Sequence, residues 1–308
     1  MYEFKLKHAP ERIVMEKSVT QEFLKENGMG DDAEFTPENL LVPTKFSIKD
    51  YMSPARSQGS AGTCASFGVL SNLEFLHGKR DLSESCVTHE AEKKYGDCKE
   101  GLATVHAYLI GRDKGVVDES VWPYDDTKIC WNPAPNTSGK PRYKFNNIKR
   151  VYYRPTKSIL ENMVLGINGD YLKIESATPR NFVKLLKAAL VTHRAPVTIS
   201  VPVWWNSDGH FDAGWEWGPH INMPTPANLK VWLETNNVAY DKNISLEEGA
   251  LTPPNVSGWH AISICGYDNA TGRFEFKNSW NSWWGNGGYG TLPYKYVTAF
   301  SRGGYIGY

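Results

Sequence analysis

Helix-type and strand-type patterning occupy different parts of this chain, and that order limits the folds open to it. In Cys64–Leu76 apolar or small residues fall at 65, 69, 73 and 76, with 67 and 70 beside them, and Gly78 marks a stop. GLATVHAYLIGR, leading to Asp113, predicts a second helix that ends near Gly115. TPRNFVKLLKAALVTH (178–193) predicts a third, with proline in its first turn. Beyond residue 193 the pattern changes. APVTISVPVWW (195–205) is a β-branched run that reads as a buried strand. WHAISICGYD (259–268) and GRFEFKNSW (272–280) alternate on either side of a turn-like NATG and read as a hairpin. Helices first and strands later predict an α+β protein with a helical half and a β half.

The chain has 308 residues, which is one large or two closely packed domains at roughly 100–200 residues each. With 41 % hydrophobic and 22 % charged residues it can bury a sizeable core. The 34 basic and 34 acidic residues balance, so charge argues for neither a nucleic acid nor an anionic membrane as partner. No apolar run approaches the ~18 residues of a membrane span. The opening MYEFKLKHAPERIV carries charges where a signal peptide has its apolar stretch, so the compartment stays open between the cytoplasm and export by another route. Residues 1–42 read as an extension, with a short amphipathic helix over Glu11 to Asn27 stopped by Gly28 and Gly30. A stretch at 206–257 holds Trp215, Trp217 and Trp232. Loops of that length are functional or disordered, and its tryptophans argue against disorder.

SQGSAGTC puts Cys64 where loop becomes helix. The first turn of a helix carries partial positive charge and unpaired N–H groups, which favour a thiolate. Gly59, Ala61 and Gly62 allow close approach, and the Gln58 amide with the Cys64 N–H is a donor pair suited to an oxyanion. A cysteine before a helix is as often plain packing. GWHAISICGYD, however, sets His260 at the start of a strand, and KNSWNSWWGNGGYG sets Asn278 at the end of the next. A hairpin brings the two together. An amide oxygen there fixes the imidazole's tautomer, and Trp280 covers the bond.

QGSAGTC, GWHAISICGYD and KNSWNSWWGNGGYG, in that order, resemble the papain-like cysteine peptidases, and LSES, DCKEG and VWPYDD are weaker echoes. The resemblance runs, with gaps, over 43–308. It implies a two-lobed α+β fold: a helical lobe at about 55–150, a β-barrel lobe at about 150–300, and a cleft between them. It implies a cysteine endopeptidase without cofactor or metal, acting on a peptide or protein substrate and open to a proteinaceous inhibitor. Cys64 would be the nucleophile, His260 its acid/base partner, Asn278 the orienter and Gln58 an oxyanion donor. Gly101 would pair with substrate backbone, and Trp280 and Trp259 would flank the substrate. A peptide ligase or cyclase, and a silent binding protein, are the rival readings.

Four positions depart from the family pattern: Ala61 in place of a cysteine, Ala65 in place of an aromatic residue, Trp259 before the histidine, and Asn281 after Trp280. The Cys64–His260 separation is wide for the family, as an insert at 206–257 would make it. Of five cysteines one must be unpaired in any monomeric scheme. Cys98 or Cys86 would bridge Cys130 by family analogy. A zinc set of Cys86, His89, Cys98 and Cys130, or plain thiols, are the other readings. Cys265 reads as core, and NSDGHFDAG (206–214) has a faint calcium-loop pattern. Residues 1–42 read as a strut on the β lobe rather than a plug in the cleft, and the insert as a cover on the β half.

Overall fold

The computed structural model describes residues 23, 26, 27, 41–96, 101–128, 134–151, 182–205, 210–228, 231, 256–301 and 304–308. Its centre is α1 (Cys64–Leu76), whose residues are buried on every side from Cys64 to Glu74. Its buried polar residues Ser66, Ser71, Asn72 and Glu74 are all hydrogen-bonded, as a core helix requires. α2 (Glu84–Tyr95) and α3 (Thr104–Asp113) pack against it. Val69, Leu73, Val87, Tyr108, Ile110 and Trp122 form this helical core, each leucine or valine contributing about 1.5–3 kcal/mol on burial.

Among the described residues the β half is a seven-stranded antiparallel sheet. Its strands are β1 (Lys45–Ser47), β2 (Ile148–Val151), β3 (Val197–Trp204), β4 (Val256–Asp268), β5 (Arg273–Lys277), β6 (Tyr289–Pro293) and β7 (Gly304–Gly307). They lie in the order β2-β7-β3-β4-β5-β6, with β1 on β4. β3 is buried along its whole length, and its sequence is apolar apart from Thr198 and Ser200. α4 (Phe182–His193) and α5 (Tyr294–Phe300) contribute Leu186 and Tyr296 to a core with Trp204, Ile262 and Phe274.

β4 faces both cores. Ile262 and Ile264 belong to the β core, while Ala261 belongs to the helical one. Gly68 makes this contact possible. A Cβ on it would lie 2.8 Å from Thr198 Cγ2 and 3.6 Å from Ala261 Cβ. In its place the Gly68 carbonyl accepts from Ser263 Oγ at 2.9 Å and Thr198 Oγ1 at 3.0 Å.

The central helix and the hairpin of β4 with β5 stand where the sequence puts them. α3 starts at Thr104 rather than near Gly101, because Gly101 sits at φ 92, outside the helical region. α2 was not expected, since ESCVTHEAEKKY is polar. Its signals are the caps: Ser83 accepts from Cys86 N at 3.0 Å, and Gly96 ends the helix at φ 74.

Few residues of the 1–42 extension are described. Phe23 packs edge-on against His106 (5.0 Å) and Tyr95 (5.8 Å), and Arg112 donates to the Asn27 carbonyl at 3.2 Å, so these two rest on the helical half, while Val42 packs against the β core. The rest of the expected helix over Glu11 to Asn27, residues 178–181 of the third helix, and Cys98 and Cys130 lie outside the described residues. So does most of 206–257.

Candidate active site

The loop before α1 is tied to the β half. Gln58 N donates to Ser279 O at 2.8 Å, and Ser57 bridges to Trp280. The Gln58 amide is fully buried. Its Oε1 accepts from Ser279 Oγ at 2.7 Å, and one Nε2–H is spent on the Ala61 carbonyl at 2.8 Å. An amide nitrogen has two N–H groups, so a second donor remains. Cys64 opens α1 and is 1 % exposed.

His260 Nε2 and Asn278 Oδ1 are 2.7 Å apart. The Ser279 N–H also donates to Asn278 Oδ1, at 2.8 Å, which identifies that atom as the oxygen. Nε2 therefore carries the proton, and in the neutral ring Nδ1 is the base. His260 Nδ1 and Asn278 Nδ2 are buried with no hydrogen-bond partner among the described residues. Trp280 stacks on the imidazole at 4.8 Å and 29°, and Trp215 meets it edge-on at 6.0 Å and 88°. Burial pushes the His260 pKa down to about 4, against the opposing Asn278 hydrogen bond.

Two chains of contact bring Cys64 and His260 into one region. Gly68, one helical turn after Cys64, rests on Ala261, the neighbour of His260. Gln58 holds Ser279, the neighbour of Asn278, through both backbone and side chain.

Beneath these residues lies a buried ion cluster that sequence reading missed. Arg56 Nη2 meets Glu74 at 3.1 Å and Glu84 at 2.6 Å, and Arg56 Nη1 meets Asp81 at 2.7 Å. Lys277, next to Asn278, lies 3.8 Å from Glu74 and donates to Ser53 Oγ at 2.8 Å, and Ser53 Oγ donates to Glu74. Burial holds Glu84 well above the usual carboxylate range, with Arg56 opposing. Burial lowers Lys277, with Glu74 opposing. The partners lie far apart in sequence, and no local pattern announces them.

The remaining expected residues are placed as follows. Trp259, read as a substrate flank, is 6 % exposed and belongs to the β core. Gly101 is buried at a φ that favours glycine. Asn281, where the family has glycine, takes φ 70 and accepts from Ser282 N at 2.6 Å, a conformation asparagine tolerates. Cys86 is a buried thiol whose Sγ faces Arg142 at 3.8 Å, which removes it as a disulfide partner of Cys130. His89, its proposed zinc partner, packs against Trp122 at 5.1 Å. Cys265 is buried with Ile48, Met52 and Tyr289. Of the NSDGHFDAG stretch only 210–214 are described, and there Asp212 spends its carboxylate on Ala213 N, Thr225 N and Asn228 Nδ2. Trp215 donates to Tyr296 Oη at 3.1 Å and takes the Trp284 indole on its carbonyl at 2.9 Å.

This architecture, a helical half packed against a sheet half, is the papain-like fold. Xylellain, a cysteine protease from Xylella fastidiosa, superposes with a TM-score of 0.60 at 18 % identity, covering 98 % of each chain. The bromelain protease from Ananas comosus, solved with the E64 inhibitor, superposes at 0.52 and 17 % identity over 86 % of this chain and 99 % of its own. No family model matches the sequence. The gamete and mating-type specific protein A of Dictyostelium discoideum is 53 % identical over 64 residues, 21 % of this chain and only 13 % of that relative's length.

Proposed function

We propose that the protein is a cysteine peptidase that cleaves peptide bonds through a Cys64 acyl-enzyme. The observation that carries this reading is the buried His260–Asn278 hydrogen bond under Trp280, which puts the proton on Nε2 and leaves Nδ1 bare as the base. In the proposed reaction the Cys64 proton passes to His260 Nδ1 as sulfur bonds to the substrate carbonyl carbon. The oxyanion takes N–H donors from the Cys64 backbone and the remaining Gln58 Nε2–H. Collapse breaks the C–N bond, and His260 gives its proton to the leaving amine. Water then attacks the thioester carbon, with His260 accepting its proton; collapse breaks the C–S bond, the acid product leaves, and the proton returns from His260 to Sγ. Asn278 keeps the ring in register throughout.

Intact-mass titration with an epoxide inactivator of papain-like enzymes tests this. One adduct on wild type and none on Cys64→Ala is the expected result, together with hydrolysis of a mixed peptide library. An unmodified wild type, or one whose adduct persists in Cys64→Ala, overturns the reading. Mass spectrometry of the products separates hydrolysis from transfer to an amine.

A further inference from the structure

The loop that carries the oxyanion donors is anchored on the helical side by two residues that have so far had no part in the chemistry. Tyr124 reaches it from 66 positions away in sequence. Its hydroxyl lies 2.7 Å from the Gln58 carbonyl and 2.6 Å from Thr63 Oγ1. A carbonyl only accepts, so the Tyr124 O–H donates to Gln58 and the Thr63 hydroxyl donates to Tyr124. Thr63 stands at the N-cap of α1, yet its side chain makes no capping bond. Its hydroxyl is diverted from the usual capping role to the tyrosine.

The Tyr124 ring meets Phe67 of α1 edge-on at 4.9 Å, and its own N–H is held by Glu119 at 2.6 Å. Two residues on, Asp126 Oδ2 accepts from Ser60 N at 2.8 Å and Ser60 Oγ at 3.0 Å. Gly59 between these anchors has φ 58, and a Cβ there would fall 2.0 Å from Asp126 Oδ2, so the two segments touch. Residues 58, 60 and 63 are thus each gripped by the 124–126 segment, while Ser279 grips Gln58 from the other side.

We infer that Tyr124, seconded by Asp126, is a positioning residue for the oxyanion donors: through the Gln58 carbonyl and Thr63 it fixes the Gln58 amide relative to the Cys64 N–H. The inference rests on the acyl-enzyme reading above. Its consequence is selective. A developing oxyanion depends on both donors standing in register, whereas simple alkylation of the thiol does not. Loss of a whole oxyanion donor costs on the order of 100–1000-fold in kcat, and displacement of one costs less.

The test is Tyr124→Phe, with Asp126→Asn as the second variant, in the full chain. Three quantities are compared: kcat and KM on a peptide substrate, affinity for a peptide aldehyde that forms a tetrahedral adduct with the thiol, and the rate of iodoacetamide alkylation. Tyr124→Phe is expected to lower kcat and aldehyde affinity each by on the order of tenfold. KM and the alkylation rate should stay within about twofold. Asp126→Asn should show the same pattern more weakly, and it reads the inference if Tyr124→Phe fails to fold. Parallel losses in alkylation and hydrolysis would make Tyr124 a general prop and overturn the inference. Unchanged kcat and aldehyde affinity in both variants would also overturn it, leaving the acyl-enzyme reading intact. A wild type that neither hydrolyses peptide nor binds aldehyde overturns both.

Discussion

Beneath Gln58 and Cys64 the supporting contacts are charged, whereas around His260 they are aromatic. On the helical side half-buried Arg56 meets buried Glu74 and Glu84, Lys277 reaches Glu74 from β5, and Tyr124 and Asp126 hold the loop. On the β side Trp215 and Trp280 flank the imidazole, Trp284 packs against both of them, and Tyr296 Oη collects the indole N–H groups of Trp204 and Trp215. The charged side is strong only while every partner is present, because a buried charge left alone is costly. The aromatic side fails gradually, by loosening. In the proposed mechanism the oxyanion donors would then be held by electrostatics and the base by shape.

The sharpest way to break that contrast is Lys277→Met. It leaves two buried carboxylates facing one guanidinium, and the expected loss is about 3–5 kcal/mol of stability, read from urea unfolding. Trp215→Phe should cost less, about 2 kcal/mol, because a smaller ring still fills most of the space. It should also admit water to His260 and shift the acid limb of the kcat/KM profile upward. A change in kcat without that shift would count against shape as the control.

Acid should pull the two sides in opposite directions. His260 has its folded pKa lowered from 6.5 to about 4, so its stabilising contribution is present above pH 6.5 and is lost as pH falls toward 4. Glu84 has its folded pKa raised above 4.5. Its contribution is present below pH 4.5 and is lost as pH rises through the folded value. Stability measured against pH should therefore lose the first dependence in His260→Phe and the second in Glu84→Gln. Identical curves for both variants and wild type would refute the assignment. The smallest effect should come from Lys94→Ala, which removes a 3.4 Å surface pair with Asp113 in which both side chains are more than a third exposed. Solvent screening holds it to at most about 0.5 kcal/mol, and a larger value would mean surface charge matters here as buried charge does.

What could be read from the sequence follows from distance along the chain. The α1 start at Cys64 rests on helical periodicity and a small-residue loop, and the His260–Asn278 pair on two alternating strands across a short turn. Both are local patterns, and the structure has them as expected. Arg56 finds Glu74 and Glu84 over 18 and 28 residues, Tyr124 finds Gln58 over 66, and Lys277 finds Ser53 over 224. Such pairings leave no periodic trace. Trp259 shows another limit: its place beside His260 suggested contact with substrate, and the structure has it buried among the β-core residues, a placement that strand alternation with Ala261 does not announce.

The strand order has a consequence for how the molecule is made. β7, at 304–307, lies between β2 and β3, and Asn72 of α1 exchanges hydrogen bonds with Gly307, donating at 3.2 Å and accepting at 2.7 Å. Until β7 arrives, two sheet edges stay open and the buried Asn72 amide has no backbone strand to satisfy it. The helix that begins with Cys64 therefore waits for a strand 235 positions beyond Asn72. A chain cut before β7 would carry Cys64 with this side of its surroundings missing.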